Sequence, residues 1–261
     1  MAIYEKINTI KLYVTHQTES VLSATRKINR LVNLTAVLFP PKCVHCGSWG
    51  DSFCKRCACT IDYLTEQYCP ACKSASVLGY RSHGCKSRSP LDQLYSVCWY
   101  RGSIRSLIMK MKFRPYNRQA KKFMQTMFQN AFGEEELLVW RGVVVVPVPL
   151  SSGRMNTRGF NQAELIANEI ASLVGGSLRP DILIRRQYVK PQSLMPDVVA
   201  RHANIRDAFR VAPAYTRDKM PNRILLVDDV YTSGSTLTEC ARVVKAVSPS
   251  TEVLAFTLAR G

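Results

Sequence analysis

The cysteines constrain this chain more than any other residue type does. Eight of the ten cysteines lie between Cys43 and Cys85, and the spacing Cys-x-x-Cys begins there at Cys43, Cys54 and Cys69. Two such pairs bring four thiolates to one tetrahedral zinc ion, whereas clustered cysteines in a cytosolic chain seldom form disulfides. The pattern therefore predicts a structural zinc module that holds one or two ions.

The candidate metal ligands fall into one complete set and one incomplete set. Two pairs complete a first site, and the third pair has one later cysteine as its partner. His83 is a candidate for the fourth position of the second site, and a solvated loop histidine is the alternative. Because this segment has little apolar content, the metal should supply much of its folding free energy. The candidates are Cys43, Cys46, Cys54, Cys57, Cys69, Cys72, Cys85 and His83.

The sequence divides into three segments. Residues 1–37 carry apolar residues at helical spacing, which predicts either a helical extension that packs on the rest or on another copy, or a membrane-surface helix. Residues 38–90 form the cysteine-rich module. Residues 91–261 alternate strand patterns, among them 182–184 and 223–230, with helix patterns such as 236–247. This alternation predicts an α/β fold: a mostly parallel sheet with helices on both faces. Ligands of such sheets bind at the carboxyl ends of the strands.

The charge of the chain is strongly positive. It has 36 Lys and Arg against 19 Asp and Glu, a net charge of +17, which favours nucleic acid, phosphorylated metabolites or an anionic membrane surface as partners. Residues 101–122 hold basic residues, no acidic residue and interleaved aromatics, a pattern typical of single-stranded DNA binding, with a solvated helix face as the alternative. The candidates are Arg105, Lys110, Lys112, Arg114, Arg118, Lys121 and Lys122.

The sequence has no apolar run of the length that crosses a bilayer, and its N-terminus lacks the pattern of a secretory leader. We therefore expect a cytoplasmic protein. The alternative of a membrane-surface helix leaves open a location at the inner face of the membrane.

A short motif near the C-terminus predicts a phosphate site. Residues 224–236 read Ile-Leu-Leu-Val-Asp-Asp-Val-Tyr-Thr-Ser-Gly-Ser-Thr, so a buried strand runs into Asp228 and Asp229, then into a loop of small residues and a helix. Backbone N–H groups at a helix N-terminus favour phosphate. Adjacent carboxylates accept hydrogen bonds from sugar hydroxyls. Together these features favour a phosphorylated sugar as the ligand.

This motif closely resembles the signature of the phosphoribosyltransferases, which bind phosphoribosyl pyrophosphate (PRPP). The resemblance implies that Asp228 and Asp229 hold the ribose hydroxyls. It also implies that the 5′-phosphate lies in the loop formed by Thr232, Ser233, Gly234, Ser235 and Thr236.

Further motifs narrow the resemblance. Five segments, taken in their order along the chain, resemble the ComF/GntX family: 38–43, 111–114, 146–150, 158–163 and 191–194. The resemblance covers residues 38–261. The family implies a zinc ribbon followed by a type I phosphoribosyltransferase-like domain. It also implies a cytosolic role in the uptake of transforming DNA.

Within that resemblance, further residues take expected roles. Arg154 and Arg158 are expected on the loop that follows the strand pattern at residues 143–149. Because arginine suits bidentate contacts with phosphate, we assign Arg154, Arg158 and Gly159 to the pyrophosphate side, with surface charge on this loop as the alternative. Mg²⁺ is expected to accompany PRPP. A hood loop that closes over the ligand would carry Gln192, Ser193, Arg201 and Asn204. No residue stands out as a general base.

Three functions follow as hypotheses. The chain handles incoming single-stranded DNA as a competence protein that keeps a PRPP site, which is the interpretation we favour. Alternatively, it is an active Mg²⁺-dependent phosphoribosyltransferase that acts on a nitrogenous acceptor. In the third hypothesis, its zinc ribbon recruits a helicase-like partner to a nucleotide-binding scaffold.

Overall fold

A computed structural model describes residues 41–81, 85, 88–113, 117–186 and 207–261. The helix expected over residues 1–37 lies outside this range. The chain divides into two compact units, one ending at Cys54 and the other running from Lys55 to Gly261. The second unit contains all of the regular helices and strands named below.

The elements of the second unit alternate as the sequence predicts. The helices are α1 (Lys55–Ala58), α2 (Gly102–Lys110), α3 (Asn117–Ala131), α4 (Glu134–Val139), α5 (Ser152–Arg158), α6 (Gln162–Val174) and α7 (Ser235–Val247). The strands are β1 (Gln93–Trp99), β2 (Val144–Pro147), β3 (Ser177–Leu178), β4 (Leu183–Arg185), β5 (Phe209–Val211), β6 (Arg223–Tyr231) and β7 (Glu252–Arg260). Short 3-10 turns occupy Val77–Gly79 and Arg217–Lys219.

The main sheet has five strands in the order β1-β7-β6-β2-β3, and every neighbouring pair is parallel. Its central strands are nearly continuous apolar runs because they are buried on both faces. Strand β6 lies between β7 and β2, with Asp228 opposite Thr257 and Val146 opposite Leu226. The carboxyl ends of β2 and β6 therefore meet at one edge of the sheet.

Helices cover both faces of this sheet. On one face Phe128 of α3 and Trp140, which follows α4, pack on Tyr95 and Phe256, with the Trp140 and Tyr95 ring centroids 5.1 Å apart. The indole N–H of Trp140 donates to the Gln93 side chain at 2.9 Å, so this buried polar group is satisfied.

On the opposite face, α7 buries Leu237, Cys240 and Val244 against Leu226 and Ala255. The predicted fold class is therefore confirmed in the described residues: a mostly parallel sheet with helices on both faces.

A second, smaller sheet stands apart from the first. Residues 182–184 were expected to include a strand, and β4 is indeed there. It pairs antiparallel with β5, however, and the main sheet continues without it. Both strands contribute to the core beneath α7, because Leu183 and Phe209 are buried there.

The segment before β1 covers the edge of the main sheet. The Gln67 side chain accepts from the Ser96 backbone N–H at 2.9 Å and donates to the Ser96 carbonyl at 3.0 Å, so it pairs with the backbone of this edge strand.

The backbone of the same segment also approaches β1 closely at Gly79. Gly79 has φ +76°, and a Cβ there would lie 2.8 Å from the Leu94 carbonyl carbon. Only glycine fits this approach of two backbones.

Candidate phosphate site and metal centres

The acid pair and the small-residue loop occupy the carboxyl edge of the main sheet. Asp228 and Asp229 lie near the end of β6, and both are partly buried. The backbone N–H of Asp229 donates to Asp228 Oδ1 at 2.9 Å. Gly234 then caps α7 in the left-handed region at φ 78°. The acids, the loop and the N-terminus of a 13-residue helix thus follow one another directly.

Burial dominates the electrostatics of the acid pair. It raises the pKa of Asp228, and the charge of Asp229 raises it further, while the nearby Arg185 lowers it. Behind the pair, burial also raises the pKa of the Cys240 thiol. A desolvated pair of carboxylates gains most from groups that donate hydrogen bonds or carry positive charge. The hydroxyls of a sugar are donors of this kind.

Arginines reach this site from two other elements. Arg154 and Arg158 were expected on a loop after β2, and that expectation was wrong: they lie on helix α5. Burial lowers the pKa of Arg185, at the end of β4, and the charge of Arg154 lowers it further, while Asp228 raises it. Arg185 therefore lies near enough to Arg154 and to Asp228 for both charges to act on it.

The end of α5 is shaped by glycine. Gly159 adopts φ 71° and closes the helix, as C-terminal glycines commonly do. Arg158 donates from Nη1 to Gln162 Oε1 at 2.8 Å, which holds its guanidinium at the start of α6. The expected hood residues Gln192, Ser193, Arg201 and Asn204 lie outside the described residues.

The first cysteine group brings four thiols together. The ligand atoms of Cys43, Cys46, Cys54 and Cys57 all lie within 4.8 Å of one another. The sulfurs of Cys46 and Cys54 are 3.7 Å apart. A tetrahedral zinc ion with Zn–S bonds of about 2.3 Å sets its sulfurs roughly 3.8 Å apart. All ten cysteines are among the described residues and remain unbridged by disulfides. These four thiols therefore fit a zinc ion.

The second group brings Cys69, Cys72 and Cys85 within the same 4.8 Å. The backbone N–H of Ala71 donates to the Cys69 sulfur at 3.4 Å. His83, the candidate for the fourth position, lies outside the described residues. Three converging thiols still form a donor set suited to a metal such as zinc.

The two Cys-x-x-Cys turns at Cys43 and Cys69 share one backbone geometry. The Cys43 N–H donates to the Ser48 carbonyl at 2.8 Å, and the Cys69 N–H donates to the Ser74 carbonyl at 2.9 Å. The residue after each second cysteine adopts a positive φ: 75° at Gly47 and 64° at Lys73. Such turns present two sulfurs on one side.

The basic stretch is exposed in part. Arg105 and Lys110 are exposed on α2, and Phe113 is 60% exposed after it. Lys112 Nζ lies 3.5 Å from Met109 Sδ. Lys121 forms an ion pair with the buried Glu169 at 2.9 Å, so part of its charge is compensated. Arg114 and the side chains of Arg118 and Lys122 lie outside the description.

Sequence reasoning missed three side chains beside the phosphate loop. Tyr231 is buried below Gly234, Lys73 donates to its hydroxyl, and the Arg260 guanidinium lies 5.2 Å from its ring centroid. The only signal in the sequence was local: Tyr231 directly follows the acid motif. Nothing in the sequence pairs it with Lys73.

The described residues form an α/β fold around a parallel sheet, and the two cysteine groups precede that sheet in the sequence. No family model matches the chain. It is 26% identical to competence protein F of Haemophilus influenzae over 231 aligned residues. The alignment covers 84% of this chain and 96% of that protein. It is 25% identical to competence protein ComFC of Bacillus subtilis, over 80% of this chain and 85% of the relative.

A third relative is the DNA utilization protein YhgH of Escherichia coli K12, 26% identical over 76% of this chain and 85% of that protein. These relatives confirm the predicted resemblance of the chain to the ComF family. Among solved structures, the allosteric regulatory enzyme of purine biosynthesis aligns with a TM-score of 0.35 and 19% identity, over 57% of this chain and 30% of that one.

Within the described part of the chain, every helix falls short of the length and apolar content that crossing a membrane requires.

Proposed function

We propose that this chain is a cytoplasmic competence protein that handles incoming single-stranded DNA during natural transformation, and that it binds PRPP with Mg²⁺. The single observation that carries the PRPP site is the sequence of acid pair, small-residue loop and helix start at one edge of the sheet. The competence and DNA-utilization names of the relatives support the role in DNA handling.

The proposed ligand would use each part of the site according to its chemistry. Asp228 and Asp229 accept hydrogen bonds from the two ribose hydroxyls. The 5′-phosphate lies against the hydroxyls and N–H groups of residues 232–236, where the α7 dipole favours negative charge. Arg154 and Arg158 bind the pyrophosphate. Mg²⁺ would offset the charge that PRPP brings, and one or two zinc ions would hold the cysteine module.

The test for PRPP binding is thermal stability. A ligand that binds only the folded chain must raise the melting temperature. Millimolar PRPP with Mg²⁺ should raise it for the parent and for Asp218→Ala, a control on the exposed 3-10 turn. The double variant Asp228→Ala/Asp229→Ala should show no shift. A parent chain that gives no shift would refute the PRPP site.

The DNA role is tested separately, by fluorescence anisotropy with a labelled single strand. Removing two basic side chains that bind DNA phosphates lowers the slope of log K against log salt by roughly 1.4 for single-stranded DNA. We expect this for Arg105→Ala/Lys110→Ala. The matched pair Arg217→Ala/Lys219→Ala removes two exposed charges elsewhere and should bind as the parent does. Equal slopes for both pairs would exclude α2 as the DNA contact.

The alternative is an active phosphoribosyltransferase without a direct DNA role. The complete acid pair and loop favour it, since a relic site has no need of both carboxylates. Release of pyrophosphate from PRPP on addition of a nitrogenous acceptor would establish this activity. The acceptor would not require a general base if its nitrogen carries a free lone pair.

A further inference from the structure

One lysine of the second cysteine turn reaches the base of the phosphate loop. Lys73 Nζ donates to the hydroxyl of Tyr231 and lies 4.8 Å from the centroid of that ring. It also donates to the Pro70 carbonyl at 3.3 Å, inside its own turn. The lysine therefore links the turn of Cys69 and Cys72 to the last residue of β6.

The loop of residues 232–236 packs against the ring of Tyr231. Its side chain is 3% exposed, and a Cβ placed on Gly234 would lie 2.6 Å from two of its ring carbons. The loop backbone is thus in direct contact with the ring. A shift of the ring would displace Gly234, which sets the start of α7 and the direction of its N–H groups.

A second bridge joins the same two segments. The Arg260 guanidinium lies 4.8 Å from the Tyr68 ring centroid and 5.2 Å from that of Tyr231. Tyr68 immediately precedes Cys69, so Arg260 stacks between a residue of the cysteine turn and the residue below the loop. Two cations from different parts of the chain thereby fix one tyrosine ring.

The backbone conformation of Lys73 indicates a functional role for its side chain. It adopts φ 64°, a region that costs an ordinary residue conformational energy and that glycine enters freely. The equivalent position of the first turn is Gly47. A residue kept in an unfavourable conformation commonly marks a functional site.

We propose that Lys73 is a positioning residue for the phosphate loop: through Tyr231, the second cysteine turn holds residues 232–236 in the conformation that receives a phosphate group. This inference rests on the proposed phosphate site. It adds that the cysteine module supports the ligand site as well as its own fold. Lys73 acts here through Tyr231 and need not touch the ligand.

Three substitutions of Lys73 separate the effect of its side chain on ligand affinity from its effect on the stability of the fold. Lys73→Gly removes both the cation and the unfavourable φ, so the melting temperature should stay equal or rise. Its affinity for PRPP with Mg²⁺ should nevertheless fall roughly fivefold, the change that about 1 kcal/mol represents. Lys73→Ala should weaken binding equally, and Lys73→Arg, which restores a cation, should recover it. Lys219→Gly is the control, because it lies before β6, about 30 Å along the strand from the loop.

Amide hydrogen exchange of residues 232–236 without ligand provides an independent measurement. Exchange should be faster in Lys73→Gly and Lys73→Ala, and unchanged in Lys219→Gly. Unchanged exchange and unchanged affinity in both Lys73 variants would overturn the inference. A parent chain that fails to bind PRPP would refute the proposed function instead, and the exchange result would still decide the role of Lys73.

Discussion

Gly234→Ala tests the geometry of the phosphate loop most directly. Gly234 has φ 78°, and a Cβ there would lie 2.6 Å from the Cζ and Cε2 atoms of Tyr231. Real Cβ atoms do not come this close to another heavy atom, so something must move. The ring cannot swing away freely, because it is buried and held by Lys73 and Arg260. We therefore expect the loop itself to shift.

Two contributions set the size of the effect. An alanine in the left-handed region costs about 1–2 kcal/mol. Overlap in a packed environment adds about 1–3 kcal/mol. Gly175→Ala isolates the first contribution, since Gly175 has φ 60° at the end of α6 and a Cβ there would meet nothing within 4 Å. Gly234→Ala should therefore lower the free energy of unfolding by about 2–5 kcal/mol, and Gly175→Ala by about 1–2 kcal/mol.

Urea unfolding of both variants measures the difference, and the PRPP-induced shift in melting temperature measures the consequence for the site. Gly175→Ala should retain the shift, whereas Gly234→Ala should lose most of it. If the two variants are equally stable, the loop does not rest on Tyr231 as described, and the argument for Lys73 loses its basis.

Two further predictions concern protons and metal. Burial and the charge of Asp229 raise the pKa of Asp228, so the folded chain keeps a proton that the unfolded chain has lost. The resulting stability is present at low pH and is lost as the pH rises above the ordinary aspartate range. Melting temperatures between pH 5 and 8 should therefore fall more steeply for the parent than for Asp228→Asn. Cys46→Ser should lower the bound zinc by about one ion per chain in a chromogenic assay, whereas the exposed Cys59, outside both cysteine groups, should tolerate serine without loss.

The parts of the site that are local in sequence could be predicted. Strand β6, expected at residues 223–230, runs from Arg223 to Tyr231, and α7, expected at residues 236–247, begins at Ser235. A strand buried on both faces is a nearly continuous apolar run, and a loop of small residues before a periodic segment marks a helix start. The cysteine groups were likewise predictable from spacing alone.

Elements without apolar periodicity could not be predicted in this way. Helix α5 carries Arg154 and Arg158 and has Met155 as its only large apolar residue, and its caps stabilise it: Ser151 at the start and Gly159 at the end. Those caps are the signal that the sequence offers. Strand β4 was expected, but a strand pattern does not name its partner, so its antiparallel pairing with β5 had no local signal.

The contact between Lys73 and Tyr231 spans 158 residues, and only the topology explains it. Strands β1, β7 and β6 are neighbours and parallel, so Trp99, Arg260 and Tyr231 end in register at one edge of the sheet. The cysteine turn follows the outer side of β1, which places Tyr68 and Lys73 beside that edge. Helix α2 starts three residues after β1, so Arg105 lies in its first turn, near the same edge. Strand spacing sets β1 and β6 about 10 Å apart, because only β7 lies between them. One edge of one parallel sheet therefore gathers the small-residue loop, the cysteine turn and the start of the basic stretch.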